Sequence, residues 1–339
     1  MARQAKSSGS RSAKPNAASP RPEPAAIPDL TDLDRALIDR LREDGREGNR
    51  SLAHAFGVNE VTVAGRLRRL EDADIMRIVA VTDIRLFGHR ELTFALVKVS
   101  RRAVSDVAAD IAKLPEAVAV TVTSGRFDIV VPMVCRDRSH VAEMFSSVLP
   151  SIDGVYEVHG SIALNVLKYD SKWALFQVNP GTTPEAQPSD TVDEMDLEII
   201  RILQHNARRS NRRIADDLGV SEGTIRARIK RMLSDHVFRI QAVSNVVAFG
   251  FGAHAFIIVT ADPGEVDGVA RTLVEREDIS QVTRVLDSFD LIGVAIGANH
   301  DNLMNAVHNE IALIPGIRRI EVLYGCGSIK HTYAWTWLV

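Results

Sequence analysis

Residues 219–232 run Gly219-Val220-Ser221-Glu222-Gly223-Thr224-Ile225-Arg226-Ala227-Arg228-Ile229-Lys230-Arg231-Met232, and the reading of this stretch decides the fold. Ile225, Ile229 and Met232 recur at spacings of four and three, which puts them on one buried helix face. Arg226, Arg228, Lys230 and Arg231 fall largely outside that face. Ser221 sits where its hydroxyl accepts from the first unsatisfied helix N–H groups. A short helix, a Gly-containing elbow and a capped basic helix is how a recognition helix is offered to the major groove. Taken singly, such a helix is equally an ordinary solvated basic face.

The chain holds the element twice. Residues 57–70 align with 219–232 without a gap, at an offset of 162. The same offset relates Asp34 to Asp196, Phe87-Gly88 to Phe249-Gly250, Asp128 to Asp290, Gly154 to Gly316, Lys168 to Lys330 and Trp173 to Trp335. A register kept over nearly half the chain marks a tandem duplication, which fixes the domain count before any other argument.

Composition sets the outer bounds. With 339 residues, 45% apolar and 25% charged, the chain has the make-up of an ordinary globular protein of two to four domains. Cys135 and Cys326 are not related by the offset and form no ligand or disulfide pattern, so a reducing cytoplasm is expected. No run reaches the ~18 apolar residues of a membrane helix. The net charge of −3 speaks against a globally basic nucleic-acid binder but not against a local basic patch. Lys and Arg number 9 against 10 Asp and Glu over residues 31–80, and 10 against 8 over 191–242, so the second element is the more basic.

Taken in order, residues 1–28 are rich in Ala, Ser and Pro without apolar periodicity and read as a disordered tail. Residues 29–83 and 191–245 each read as a winged helix-turn-helix, with a short helix, an elbow and a third helix. Asn59 takes the capping place of Ser221. Ile75 to Asp83 reads as a winged hairpin or a strand leading out. Asp74 and His236 stand just after the third helices, where positive φ is expected. Residues 84–176 and 246–339 each follow the order βαββαβ, the ferredoxin-like arrangement with helices on one sheet face. The bare face of each sheet must be covered, and a second such sheet is the natural cover. Residues 177–190, with Asn179-Pro180-Gly181, Pro184 and Pro188, read as the linker. The expected class is α+β, with two winged helix-turn-helix and two ferredoxin-like domains.

This organisation resembles the leucine-responsive/asparagine-regulator (Lrp/AsnC) family of transcriptional regulators. The resemblance rests on the elbow Leu218-Gly219-Val220-Ser221, which departs at both ends in the first copy as Phe56-Gly57-Val58-Asn59. It rests also on the Thr62-to-Arg66 and Thr224-to-Arg228 spacing and on Gly125-Arg126-Phe127-Asp128. It implies a dimer fused into one chain that binds double-stranded DNA and senses a small molecule, typically an amino acid. Self-association into dimers or tetramers of chains is expected. The DNA-binding candidates are Asn59, Thr62, Arg66, Arg68 and Arg69 in the first copy, and Ser221, Thr224, Arg226, Arg228, Lys230 and Arg231 in the second. Arg and Lys suit phosphates and guanine edges, and Thr suits phosphate or a thymine methyl.

The resemblance further implies an effector site near the hairpin, with Gly125, Arg126, Phe127, Asp128 and Asp290 as candidates. A zwitterion needs an acceptor for its ammonium and N–H groups for its carboxylate; the alternative is that Gly125 makes the turn and Asp128 caps it. In the second copy Asp287 and Ser288 replace Gly125 and Arg126. The rival readings are an enzyme of the siroheme-decarboxylase type, built on the same two-domain plan, and an interaction module that has lost DNA binding. His89, His140, His159, His254, His300 and His308 are scattered and unrepeated at the offset, and no nucleophile triad, metal spacing or phosphate loop stands out. The expectation is therefore of no enzyme, no metal and no cofactor.

Overall fold

A computed structural model describes residues 30–83, 85, 88, 90–175, 189 and 191–332, with the backbone of 335–336. The tail expected at 1–28 and nearly all of the linker expected at 177–190 lie outside the described residues. Each helix-turn-helix unit, termed a reading unit for the role the family resemblance implies, is a run of three helices and a strand. In the first these are α1 (Asp32–Glu43), α2 (Asn49–Phe56), α3 (Glu60–Asp72) and β1 (Met76–Asp83). The strands and helices of the first companion unit follow as β2 (Glu91–Val99), α4 (Val104–Ile111), β3 (Ala119–Ser124), β4 (Ile129–Cys135), α5 (Arg138–Glu143), β5 (Val155–Tyr169) and a short β6 (Trp173–Ala174). The second copy repeats the order as α6 (Glu194–His205), α7 (Asn211–Leu218), α8 (Glu222–Ser234), β7 (Phe238–Asn245), β8 (Ala253–Ala261), α9 (Val266–Glu275), β9 (Ile279–Leu286), β10 (Leu291–Gly297), α10 (His300–Asn309), β11 (Ile317–His331) and β12 (Trp335–Thr336).

Local chemistry explains the boundaries of the reading units. Thr31 and Asp34 form a reciprocal capping box on α1, and Asp193 and Asp196 do the same on α6. Gly57 and Gly219, at φ 64° and 67°, end α2 and α7 in the left-handed conformation that glycine takes without steric cost. Asp74 and His236 take positive φ, 51° and 54°, where the sequence placed them.

The strand after each third helix does not fold back into a hairpin of its own. Instead β1 pairs antiparallel with β7 of the other copy, from Met76 opposite Ser244 to Thr82 opposite Phe238. The wing expected within each unit is therefore one shared ribbon, edged by β12 parallel to β1 and by β6 parallel to β7. The apolar faces of both helical units close over it in a single core with Leu37, Leu41, Ile200 and Leu203. Matching polar contacts tie the units together. Gly45 N–H donates to Ile240 O, and Ala207 N–H, its counterpart, donates to Ile78 O. The Arg46 guanidinium donates to Ala207 O and Arg209 O, and Arg208 donates to Glu47 O and to the Asn49 side chain at 2.8 Å.

The two ferredoxin-like sheets close on each other. Around the barrel the order is β3-β4-β2-β5-β9-β10-β8-β11 and back to β3, with β5–β9 and β11–β3 as the seams between copies. Inward residues alternate along each strand, as a pleated sheet requires. Phe94, Leu96, Val130, Val285, Ile258, Ile292 and Leu323 fill the interior. The opposite faces pack under the helices in two separate clusters, Val107, Ile111 and Met144 in one copy and Val269, Leu273 and Val307 in the other. The bare sheet faces noted in the sequence thus cover each other within one chain. Because both copies build the interior, Leu323→Ala should cost about 2–5 kcal/mol, and urea unfolding followed by circular dichroism should remain one transition. Two resolved transitions would mean that the copies fold independently.

Candidate functional site

The third helices present the residues expected to meet DNA, but they do not all stand free. Asn59 Oδ1 accepts from Thr62 N–H at 2.7 Å and Ser221 Oγ from Thr224 N–H at 3.0 Å, so both serve as helix caps. Thr224 Oγ1 lies 2.9 Å from Ser221 Oγ, and Thr62 and Thr224 remain half-buried at the helix starts. Arg68 and Lys230 are exposed with no ion pair among the described residues, and Arg226 is exposed with only a surface contact to Glu222 at 2.7 Å. Exposed pairs of that kind contribute little and are readily exchanged for a phosphate.

Four of the candidate arginines have another employment. Asp34 and Asp196, on α1 and α6, are 0% and 1% exposed. Arg66 Nη1 donates to Asp34 Oδ1 at 3.0 Å and to Thr31 Oγ1 at 2.9 Å, while Arg69 reaches Asp34 Oδ2 at 2.5 Å. Arg228 Nη1 donates to Asp196 at 2.9 Å and Asp193 at 2.7 Å, and Arg231 pairs with Asp196 and donates to Thr191 O. Burial alone would raise the Asp34 carboxyl, but hydrogen bonds from Thr31, Arg66 and Arg69 outweigh it and hold the group below the usual carboxylate range. Arg66, Arg69, Arg228 and Arg231, all expected to meet DNA, are thus engaged by a buried carboxylate and bolt the third helix to the first.

The hairpin residues are likewise committed. Asp128 Oδ2 accepts from Val99 N–H at 2.8 Å, and Asp290 Oδ2 accepts from Ala261 N–H at 2.8 Å. Both carboxylates therefore fasten a hairpin to the neighbouring strand through one oxygen. Gly125 has φ 148°, and a Cβ there would lie 2.9 Å from Val322 O and Leu323 Cδ2 across the seam. Phe127 is buried. Arg126 is exposed, lies over the Phe127 ring and approaches Glu321 at 3.8 Å. In the second copy the corresponding turn sends Asp287 to His159 Nε2 at 2.8 Å, between the rings of Phe127 and Phe289.

At the opposite end of the barrel, bordered by β6 and by Val246 and Val247 just after β7, is a cavity of about 210 Å3. Among its walls are Trp173, Phe251, Phe256, His254 and His331. The sequence had left His254 among scattered histidines and His331 unremarked. They lie on β8 and β11, far apart in the chain, and only strand pairing brings them together. The signal available was that the first copy has Leu92 and Tyr169 at the matching positions.

With this geometry in view, comparisons with known proteins become informative. A family model for the AsnC-type helix-turn-helix domain matches residues 30–71 and again 192–233. The Lrp/AsnC ligand binding domain matches residues 92–173, and a C-terminal dimeric alpha+beta barrel domain matches 259–338. The HTH-type transcriptional regulator FL11 of Pyrococcus furiosus is 33% identical over 140 residues, 41% of this chain and 92% of that protein. The HTH-type transcriptional regulator Ptr1 of Methanocaldococcus jannaschii is 34% identical over 106 residues, 31% of this chain and 72% of that protein. Over nearly the whole length the fold is similar to that of the siroheme decarboxylase NirDL, with TM-score 0.64 and 16% identity, covering 88% of this chain and 92% of that one.

That last likeness overturns one expectation. The sequence led to the reading that the chain is not an enzyme, yet an enzyme is built on the same full-length plan. At 16% identity the likeness concerns the fold alone, and the fold accommodates catalysis, so a non-enzymatic nature does not follow from it.

The two kinds of arginine on α8 separate experimentally. Arg228→Ala strips a buried carboxylate of one partner and should lower stability by about 1–3 kcal/mol, whereas Arg226→Ala should change it by under about 0.5 kcal/mol. Equal melting temperatures for the two variants would refute the division of labour.

Proposed function

The chain belongs to the Lrp/AsnC family of transcriptional regulators, and from that premise we propose that it binds DNA sequence-specifically under the control of a small molecule. The observation that carries the reading is the pair of capped basic helices held rigidly together. Antiparallel β1–β7 pairing relates the two units by a pseudo-twofold, and the Arg46 and Arg208 contacts fix their separation. A rigid pair of readers suits two half-sites in one operator. The outward groups available for phosphates and base edges are Arg68 with Thr62 on one helix, and Arg226 and Lys230 with Thr224 on the other. The operator is imperfectly symmetric, because the reading side chains differ between copies.

The effector in this reading is an amino acid or related metabolite at the interfaces of the ferredoxin-like domains, near the hairpin of Gly125 to Asp128. Arg126 and the turn amides are the groups there with unspent capacity for a carboxylate. Further association of chains uses the outer barrel wall, where Leu164 and Leu286 on the adjacent strands β5 and β9 are 58% and 63% exposed. A cytoplasmic location fits a DNA-binding role. Among the described residues no helix is long and apolar enough to cross a membrane.

Fluorescence anisotropy on DNA from upstream of its own gene tests the reading. The unaltered protein should bind with steep salt dependence, and Arg226→Glu/Lys230→Glu should weaken binding on the order of tenfold or more, since each lost contact costs about 1–3 kcal/mol. Identical binding by the variant would exclude α8 as a reader. Association is tested by light scattering. The unaltered protein should show two or four times the 37.2 kDa chain mass, and Leu164→Asp/Leu286→Asp should reduce it toward one chain. A strictly monomeric mass for the unaltered protein would rule out the assembly.

A further inference from the structure

We propose that the cavity between the barrel mouth and the reading units is a second small-molecule site, one that takes an uncharged one- or two-ring aromatic compound carrying a single hydrogen-bonding head. Size gives the first argument. At about 210 Å3 the space is somewhat larger than the ~150 Å3 apolar cavity that holds benzene, and so suits a bicyclic ring or a phenyl group with a short polar substituent. The walls give the second. Trp173, Phe251 and Phe256 supply ring faces, and Leu92, Val134 and Val294 supply aliphatic surface.

Several polar side chains of the described lining are already engaged: Thr121 Oγ1 and Ser328 Oγ lie 3.2 Å apart, Ser280 donates to Val294 O and Gln281 to Thr283 Oγ1. Among the described residues His331 Nδ1 is buried with no hydrogen-bonding partner, a condition that costs free energy until a ligand meets it. His254, beside it, makes no hydrogen bond among the described residues. Its ring lies across Gly325, where a Cβ would stand 2.3 Å from Nε2, so the strand is opened to seat an imidazole at this point. Both imidazoles are kept uncharged: burial lowers the His254 pKa, and burial together with His254 pushes His331 down to about 4. A neutral imidazole offers one donor and one acceptor.

Charge excludes other classes of ligand. The described lining contains no Lys or Arg, and its one carboxylate, Asp170, is held by Lys172 at 2.9 Å. A zwitterion or a carboxylated ring system would bury an anion here without a cation to meet it. The site therefore differs in ligand class, as well as in position, from the hairpin end of the barrel. Both copies line it, but unequally in polarity, since Leu92 and Tyr169 of the first copy stand where the second has His254 and His331.

The cavity has a mechanical link to the first reading unit. Trp173, in its wall, carries the Arg42 guanidinium of α1 over its ring at 4.6 Å and meets Phe249 and Phe251 edge-on at 5.1 and 5.4 Å. A ring packed against Trp173 bears on the seat of α1. An effect on operator affinity rests on the proposed reading of the protein as a regulator; binding to the cavity does not.

The test is calorimetric titration of the full chain with indole, beside Val294→Phe, which fills the space, and His331→Phe, which keeps its shape but removes the head. Circular dichroism melts confirm that both variants fold. Saturable one-to-one binding, weakened at least tenfold by Val294→Phe and about three- to tenfold by His331→Phe, is the result expected. No saturable heat at millimolar indole, or equal affinity in Val294→Phe, would overturn the site. In a parallel DNA anisotropy titration, indole should shift the affinity of the unaltered protein and leave Val294→Phe unmoved. Indole binding by a protein that binds no DNA would overturn the regulator reading and sustain the cavity.

Discussion

Closure of the barrel is the constraint on which the rest depends. Each ferredoxin-like sheet has one face under its helices and one apolar face, with Leu96 and Val130 in the first copy and Ile258 and Ile292 in the second, that has no cover within its own copy. The seams β5–β9 and β11–β3 satisfy both bare faces and all four sheet edges at once. Once the seams are made, the strands entering the barrel are side by side, so β1 and β7 pair and each first helix lies over the other copy's strand. The spacing of the third helices is thus set by the barrel below together with the Arg46 and Arg208 contacts between the helical units.

Fusion of the two copies changes what this closure demands. A dimer of identical chains must have a self-complementary interface, whereas two linked copies meet at high effective concentration and are free to differ. The hairpins show the result. Arg126 of the first copy faces Glu321, while in the second the carboxylate of Asp287 faces His159, and residues 159 and 321 are counterparts. Pairing two first copies would bring Arg126 against an imidazole, and pairing two second copies would bring Asp287 against a carboxylate. The seams therefore favour the unlike pair, specificity gained as much by repelling the wrong partner as by attracting the right one.

Periodicity and duplication made the architecture legible: the offset of 162, the elbow at Gly219 and the strand-helix order all translate directly into elements. What they did not reveal has a common cause, namely side chains whose partners are set by tertiary packing. Helical spacing separates the apolar face from the rest but does not tell which of Arg226, Arg228 and Arg231 turns toward a neighbouring helix. The buried carboxylates that decide it, Asp34 and Asp196, lie 32 or 35 residues from the arginines they bind. For Asp128 the sequence offered an ammonium or its own turn but not the Val99 amide, which is on another strand. His254 and His331 were unconnected until β8 and β11 paired. The strand after each third helix read equally as hairpin or exit strand, since its partner belongs to the other copy.

The division of the third helices bears on how the two readers diverged. The ion pairs that hold the unit together recur in both copies, Arg66 with Arg69 matching Arg228 with Arg231 on the buried aspartate, while the caps differ as Asn59 and Ser221. On the side away from the core Val61, Ala64, Gly65 and Arg68 stand opposite Gly223, Arg226, Ala227 and Lys230. Gly65 does not answer to packing, because a Cβ there would meet nothing within 4 Å. It therefore weakens the helix by roughly 1 kcal/mol relative to Ala without any return from the core. Beyond the arginines tied to the buried aspartates, the second helix carries exposed Arg226, paired with Glu222, and Lys230, and the first carries exposed Arg68. The asymmetry falls on the exposed side of the third helices and not on the ion pairs beneath them.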